Sequence, residues 1–69
     1  MEQKFFSIDP EVMGGVPVFA GTRVPIRTLV EHLRASDTID DFLEGFPSVA
    51  RAQVIDFLDT AERRVEKLG

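Results

Sequence analysis

The chain has no cysteine, tryptophan or tyrosine, and a single histidine, in 69 residues. Without cysteine there can be no disulfide, and His32 alone cannot supply the nitrogen and sulfur ligands of a structural metal site. No apolar run approaches the ~18 residues needed to span a bilayer. The opening Met1-Glu2-Gln3-Lys4 lacks the charged-then-apolar form of an export signal, so a cytoplasmic protein without membrane contact is expected. Nor does the sequence set a nucleophile beside a base or gather a metal-binding group. No catalytic residue, cofactor or small-molecule substrate is therefore expected, and an enzyme is the least favoured class. Gly14-Gly15 and Gly21-Thr22 are not followed by the Gly-Lys-Ser/Thr of a phosphate-binding loop.

Cations are also few. Eight Lys and Arg face twelve Asp and Glu, for a formal charge of −4. The acidity belongs to residues 36–69, whereas residues 1–35 are balanced and residues 12–36 hold three arginines against one acid. Nucleic-acid affinity comes largely from neutralising phosphates, so this chain can bind DNA only by gathering its cations on one face.

Apolar residues make up 43% of the sequence and include six phenylalanines, a globular composition. A domain this small buries only about 60% of its unfolded surface, and with no disulfide or metal available a second subunit is the expected stabiliser. A single domain over residues 1–69 is expected, with a β-hairpin arm over 1–26 and a three-helix region over 27–69.

In the arm, Phe5-Phe6-Ser7-Ile8 reads as a strand ended by the turn-forming Asp9-Pro10. Val16-Pro17-Val18-Phe19-Ala20, the turn Gly21-Thr22 and Arg23-Val24-Pro25-Ile26 read as a hairpin with a proline in each arm. Its apolar residues Val16, Val18, Phe19, Val24 and Ile26 exceed what a lone ribbon can hide, which makes them candidate dimerisation residues.

Three helical patterns follow. Ile26, Leu29, Val30 and Leu33 lie on one face, with Pro25 at the start and Arg27 and Glu31 as an exposed pair. Ile39, Phe42, Leu43 and Phe46 repeat the spacing. Here Thr38 is the N-cap, Asp40 and Asp41 sit in the positive first turn, and a left-handed Gly45 with Pro47 closes the helix. From about Val49, Val54, Leu58, Ala61, Val65 and Leu68 repeat with heptad-like spacing, a seam inside the chain or part of a dimer contact. A short helix, a turn and a longer helix have helix-turn-helix proportions. The expected fold is α+β, mainly α, and dimeric.

The order Asp9-Pro10, Gly15-Val16-Pro17-Val18, Gly21-Thr22-Arg23-Val24-Pro25-Ile26 and Phe46-Pro47 resembles the small proteins grouped as domain of unknown function 433, many of which are regarded as VapB-type antitoxins. The resemblance implies a helix-turn-helix homodimer joined through its N-terminal strands and bound to double-stranded operator DNA of its own operon. It also implies a PIN-like toxin partner, a metal-dependent ribonuclease held inactive. The family usually has Gly after the first helix and Thr or Ser capping the third, where this chain has Ser36 and Ala50. Ala caps about 1 kcal/mol less well, which makes Ser48 the alternative cap.

Under this reading the candidate DNA-binding residues are Arg23, Arg27, Arg34, Ser48, Arg51 and Gln53. Arg pairs with guanine and Gln with adenine, while the plainer alternative is a solvated helix surface. Arg23 has two further options, an ion pair with an acid such as Glu44 or a lock on the dimer. His32 is expected to be a surface residue. Arg63, Arg64 and Lys67 are candidate toxin-binding residues that would meet an acidic metal site. The rival function is a protein-interaction module that binds only a partner protein, without DNA.

Overall fold

The computed structural model describes residues 5–68, which leaves Met1-Glu2-Gln3-Lys4 and the export-signal expectation outside the described residues. It has a two-stranded antiparallel sheet followed by three helices and is mainly helical, as expected.

Strand β1 (Phe6–Ser7) pairs with β2 (Val18–Phe19), Phe6 opposite Phe19 and Ser7 opposite Val18. The Ala20 N–H donates to the Phe5 carbonyl at 2.9 Å, extending the pairing. In the connection, Asp9-Pro10 makes the expected turn. The Asp9 carboxylate accepts from the Glu11 N–H at 2.9 Å, and its carbonyl accepts from Val12 at 2.8 Å. A 3₁₀ turn over Met13–Gly15 then reverses the chain, with φ of 53° at Met13, 69° at Gly14 and 89° at Gly15. Two glycines occupy left-handed positions at little cost, and Met13 takes the third.

The hairpin expected on the other side of β2 is reduced to one bridge, Val18 opposite Pro25. Phe19 N–H donates to Val24 at 2.9 Å and Ile26 N–H to Pro17 at 3.0 Å. Pro17 has no N–H to return a bond to Ile26, so the ladder stops there. The turn between these segments needs positive φ at Gly21 (78°). Thr22 clamps it: its hydroxyl donates to the Phe19 carbonyl at 2.8 Å and accepts from the Val24 N–H at 3.0 Å.

Helix α1 (Ile26–Arg34) has Pro25 as its N-cap, extended at φ −64° and ψ 144°, where the absent N–H costs no helical bond. Its C-terminus is a Schellman motif, with Ser36 N–H donating to Leu33 and Asp37 N–H to His32, both at 3.0 Å. The motif needs a left-handed residue, and Ser36 supplies it at φ 71°. Arg27 and Glu31 form no salt bridge among the described residues.

Helix α2 (Ile39–Gly45) has a full capping box. Thr38 Oγ1 accepts from the Asp41 N–H at 3.0 Å, and the Asp41 carboxylate accepts from the Thr38 N–H at 3.1 Å. That second bond, more than the helix dipole, explains the Asp at this position. The exit differs from expectation. Gly45 is helical, and Phe46, at φ −132° and ψ 72°, is the C-cap that leads into Pro47. A residue before proline is pushed out of the α region, so Pro47 ends the helix without a left-handed glycine.

Helix α3 spans Arg51–Leu68, starting later than the expected Val49. Phe19, Leu29, Phe42, Val49 and Val54 form the core, drawn from β2, all three helices and the turn before α3. Phe42 packs on Phe19 (centroids 6.0 Å apart) and on Phe46 (5.0 Å). His32 is at the surface with its side chain one third exposed, and its other side is packed. Its ring meets Phe42 of α2 and Phe46 edge-on at 5.5 and 5.7 Å, and its Nδ1 lies 2.9 Å from Asp37 Oδ2 in the connection between the two helices.

Two measurements follow. Ser36→Gly relieves the left-handed strain and raises stability by about 1 kcal/mol, seen as a Tm increase of several degrees. Asp41 is held below the usual carboxylate range, first by the Thr38 backbone N–H and then by its side chain. The contribution of a lowered acid is complete above its unfolded pKa and lost as pH falls through the folded one. NMR titration is expected to find the Asp41 carboxyl titrating below its normal value of 3.8 and returning toward it in Thr38→Ala.

Candidate functional site

The turn between α2 and α3 covers residues 46–50. Phe46 N–H donates to Phe42 at 3.0 Å and Val49 N–H to Phe46 at 3.0 Å, while the Val49 side chain is buried and anchors the turn. Ser48 is therefore held outward and exposed. It does not cap α3. Ala50 takes the cap position, its carbonyl accepting from the Gln53 and Val54 N–H groups at 3.0 and 3.4 Å.

A poor cap is rescued from the third residue of the helix. Gln53 Oε1 accepts from the Ala50 N–H at 2.9 Å, the reciprocal half of a capping box. The amide nitrogen of Gln53 donates to the Phe5 carbonyl at 3.3 Å and the Ala20 carbonyl at 3.1 Å. Both ends of the amide are thus engaged, and this pattern fixes which end is oxygen. Gln53 is a brace between α3 and the ends of both strand segments, so it is not an outward reader of adenine. The sequence signal was the Gln three residues after the cap, masked because the cap is Ala.

The other candidate residues are spread over several surfaces. Arg23 projects from the Gly21-Thr22 turn into an open concavity of about 850 Å³ shared with Asp9, Pro10, Phe46 and Ser48. The turn residues singled out in the sequence, far apart along the chain, meet on this surface. Arg23 forms no salt bridge among the described residues, with Glu44 or any other acid. Arg51, in the first turn of α3, pairs with Asp40 in the first turn of α2. Arg27 and Arg34 are exposed on α1.

Arg63 pairs with Asp59 at 3.0 Å, and Lys67 is exposed. Arg64 borders an apolar groove with Phe6, Pro17, Ile26, Phe57 and Ala61. Among the candidate dimerisation residues, Val18 and Phe19 are buried within their own chain. Val24 and Ile26 pack against the core, and Val16 is half-buried. The apolar surplus of the hairpin is thus largely absorbed by the helices of the same chain. Among the described residues no group of His, Cys, Asp and Glu is placed to hold a metal ion, and no helix is long and apolar enough to cross a membrane.

The model of a protein family described as protein of unknown function (DUF433) matches residues 7–59, a segment that holds β2, the concavity and the first half of α3. The chain is also similar to the uncharacterized protein y4eO of Sinorhizobium fredii, 38% identical over 40 residues. That alignment covers 58% of this chain and 18% of y4eO, so the chain corresponds to a small part of that relative. No solved structure matches the chain.

The geometry separates two residues that the sequence grouped. Gln53→Ala removes the cap bond and both strand contacts and is expected to cost about 1–3 kcal/mol. Arg51→Ala breaks an exposed pair and is expected to stay within about 1 kcal/mol. Urea unfolding of the two variants measures the difference.

Proposed function

The chain belongs to the DUF433 family of unknown function, and we propose that it is a cytoplasmic, non-enzymatic antitoxin of a type II pair that binds its own operator DNA as a homodimer. The observation that supports this reading best is the concavity bordered by the turn that leads into α3. There Arg23 and Ser48 face one space, and Arg51 follows in the first turn. An exposed guanidinium with no ion pair among the described residues, lining one concavity with a hydroxyl, suits a phosphate, with the start of α3 presented to the groove. Gln53 has no part in base contact, which leaves Arg51 as the residue able to read a base, once released from Asp40. Arg27 and Arg34 add charge on α1. In the same reading Arg63, Arg64 and Lys67 meet the acidic site of a PIN-like ribonuclease.

The rival reading, a module that binds only protein, is favoured by the net charge of −4 and by the apolar side chains that α3 leaves in solvent. Gel retardation with duplex DNA from upstream of the gene separates the two. The DNA reading expects retardation that weakens with salt, a smaller salt slope in Arg23→Ala and loss of sequence preference in Arg51→Ala. Absence of retardation at low salt overturns it. For the toxin contact, the Arg63→Ala, Arg64→Ala double variant is expected to lose inhibition of the partner ribonuclease; unchanged inhibition removes those residues from the interface.

A further inference from the structure

Arg51 carries a positive charge where its own helix disfavours one. It is the first residue of α3, at the end where unpaired backbone N–H groups gather positive potential, and the first turn of α3 holds no acid. Nor does an acid stand three or four residues further on, since Val54 and Ile55 occupy those places. The counter-charge comes from another element. Asp40, in the first turn of α2 and eleven residues earlier in the chain, pairs with the Arg51 guanidinium across the turn of residues 46–50.

The cap of α2 does not need Asp40. Thr38 and Asp41 make the capping box between them, which leaves the Asp40 carboxylate outside it. Arg51 in turn stands apart from the other arginines offered to DNA. Arg23, Arg27 and Arg34 form no salt bridge among the described residues, and the pair of Arg63 with Asp59 lies within one helix. The cation that the operator reading gives to a base is thus the one held by a carboxylate from a neighbouring helix. Both partners are open to solvent, with 59% of the Arg51 side chain and 77% of the Asp40 side chain exposed, so an arriving anion reaches them without unfolding anything.

A phosphate oxygen, a guanine edge and the Asp40 carboxylate are all acceptors for the same guanidinium. When DNA takes Arg51, the pair is lost and Asp40 is left as a bare negative charge near the backbone, which opposes binding a second time. We propose that Asp40 is an intramolecular competitor for the DNA contact of Arg51, a carboxylate that occupies this side chain in the free protein and lowers affinity for the operator. The competition presupposes the operator reading, in which Arg51 meets DNA, and adds to it an acid that sets how tightly the chain binds.

Fluorescence anisotropy of a labelled duplex from upstream of the gene, titrated with the full chain, tests it. Asp40→Asn keeps the size of the side chain and removes its charge, and it is expected to bind at least ~threefold more tightly than the wild type at low salt. Far-UV circular dichroism is expected to be unchanged, because Thr38 and Asp41 still cap α2. Removing any acid near DNA favours binding, so the same substitution is also made in Arg51→Ala. There the gain is expected to fall below ~1.5-fold, since the two residues act as a pair. Binding by Asp40→Asn that is no tighter than wild type overturns the proposal and leaves the operator reading standing. So does a gain that persists in full without Arg51, which marks bulk repulsion in place of competition. If neither the wild type nor Asp40→Asn binds the duplex at low salt, the operator reading falls and the competitor with it, so the two failures are distinguishable.

Discussion

Phe19 is gripped through backbone and side chain at once. Its N–H is bonded to Val24, its carbonyl accepts from both the backbone and the hydroxyl of Thr22, and Phe6 lies opposite it on β1. Its ring is wholly buried against Phe42. A two-stranded ribbon has little stability of its own, and this one persists because one of its residues belongs to the helical core. The tight turn at Gly21-Thr22, which carries Arg23 outward, is bonded to the Phe19 backbone. Removing a buried Phe ring of this kind costs about 3–5 kcal/mol, a large share of what a domain this small can hold.

The helices were readable because each relies on a local rule. Apolar spacing marked the buried faces, Pro25 and Thr38 marked two starts, and Pro47 marked a stop. The sheet was less so. Strand β1 was recognised as a strand, but its pairing with β2 is a contact across a long connection, and residue type carries little information about such pairing. The hairpin was recognised as a turn, yet its prolines cut the ladder to one bridge. Counting the hairpin's apolar side chains suggested a need for a partner; the count did not reveal that Phe19 turns toward Phe42.

The candidate site was half legible for a related reason. Arg23, Ser48 and Arg51 are exposed because a turn or a helix start holds them there, and such signals are local. Gln53 was misplaced because its role depends on distant groups, the strand carbonyls, and so does the packed side of His32, whose ring meets Phe42 and Phe46 while a third of the side chain stays exposed. Polar residues on an amphipathic helix are usually solvated. These two sit at the borders of their apolar faces, close enough to the core to be drawn in.

The Gln53 amide joins three pieces of chain: the turn before α3, the end of the β1 segment and the end of the β2 segment. Arg23 hangs from the last of these through the Gly21-Thr22 turn, and Ser48 from the first. One side chain thus ties together the backbone segments from which Arg23 and Ser48 project. Shortening that side chain frees the cap of α3 and both strand ends together, so fraying at one place is felt at the others.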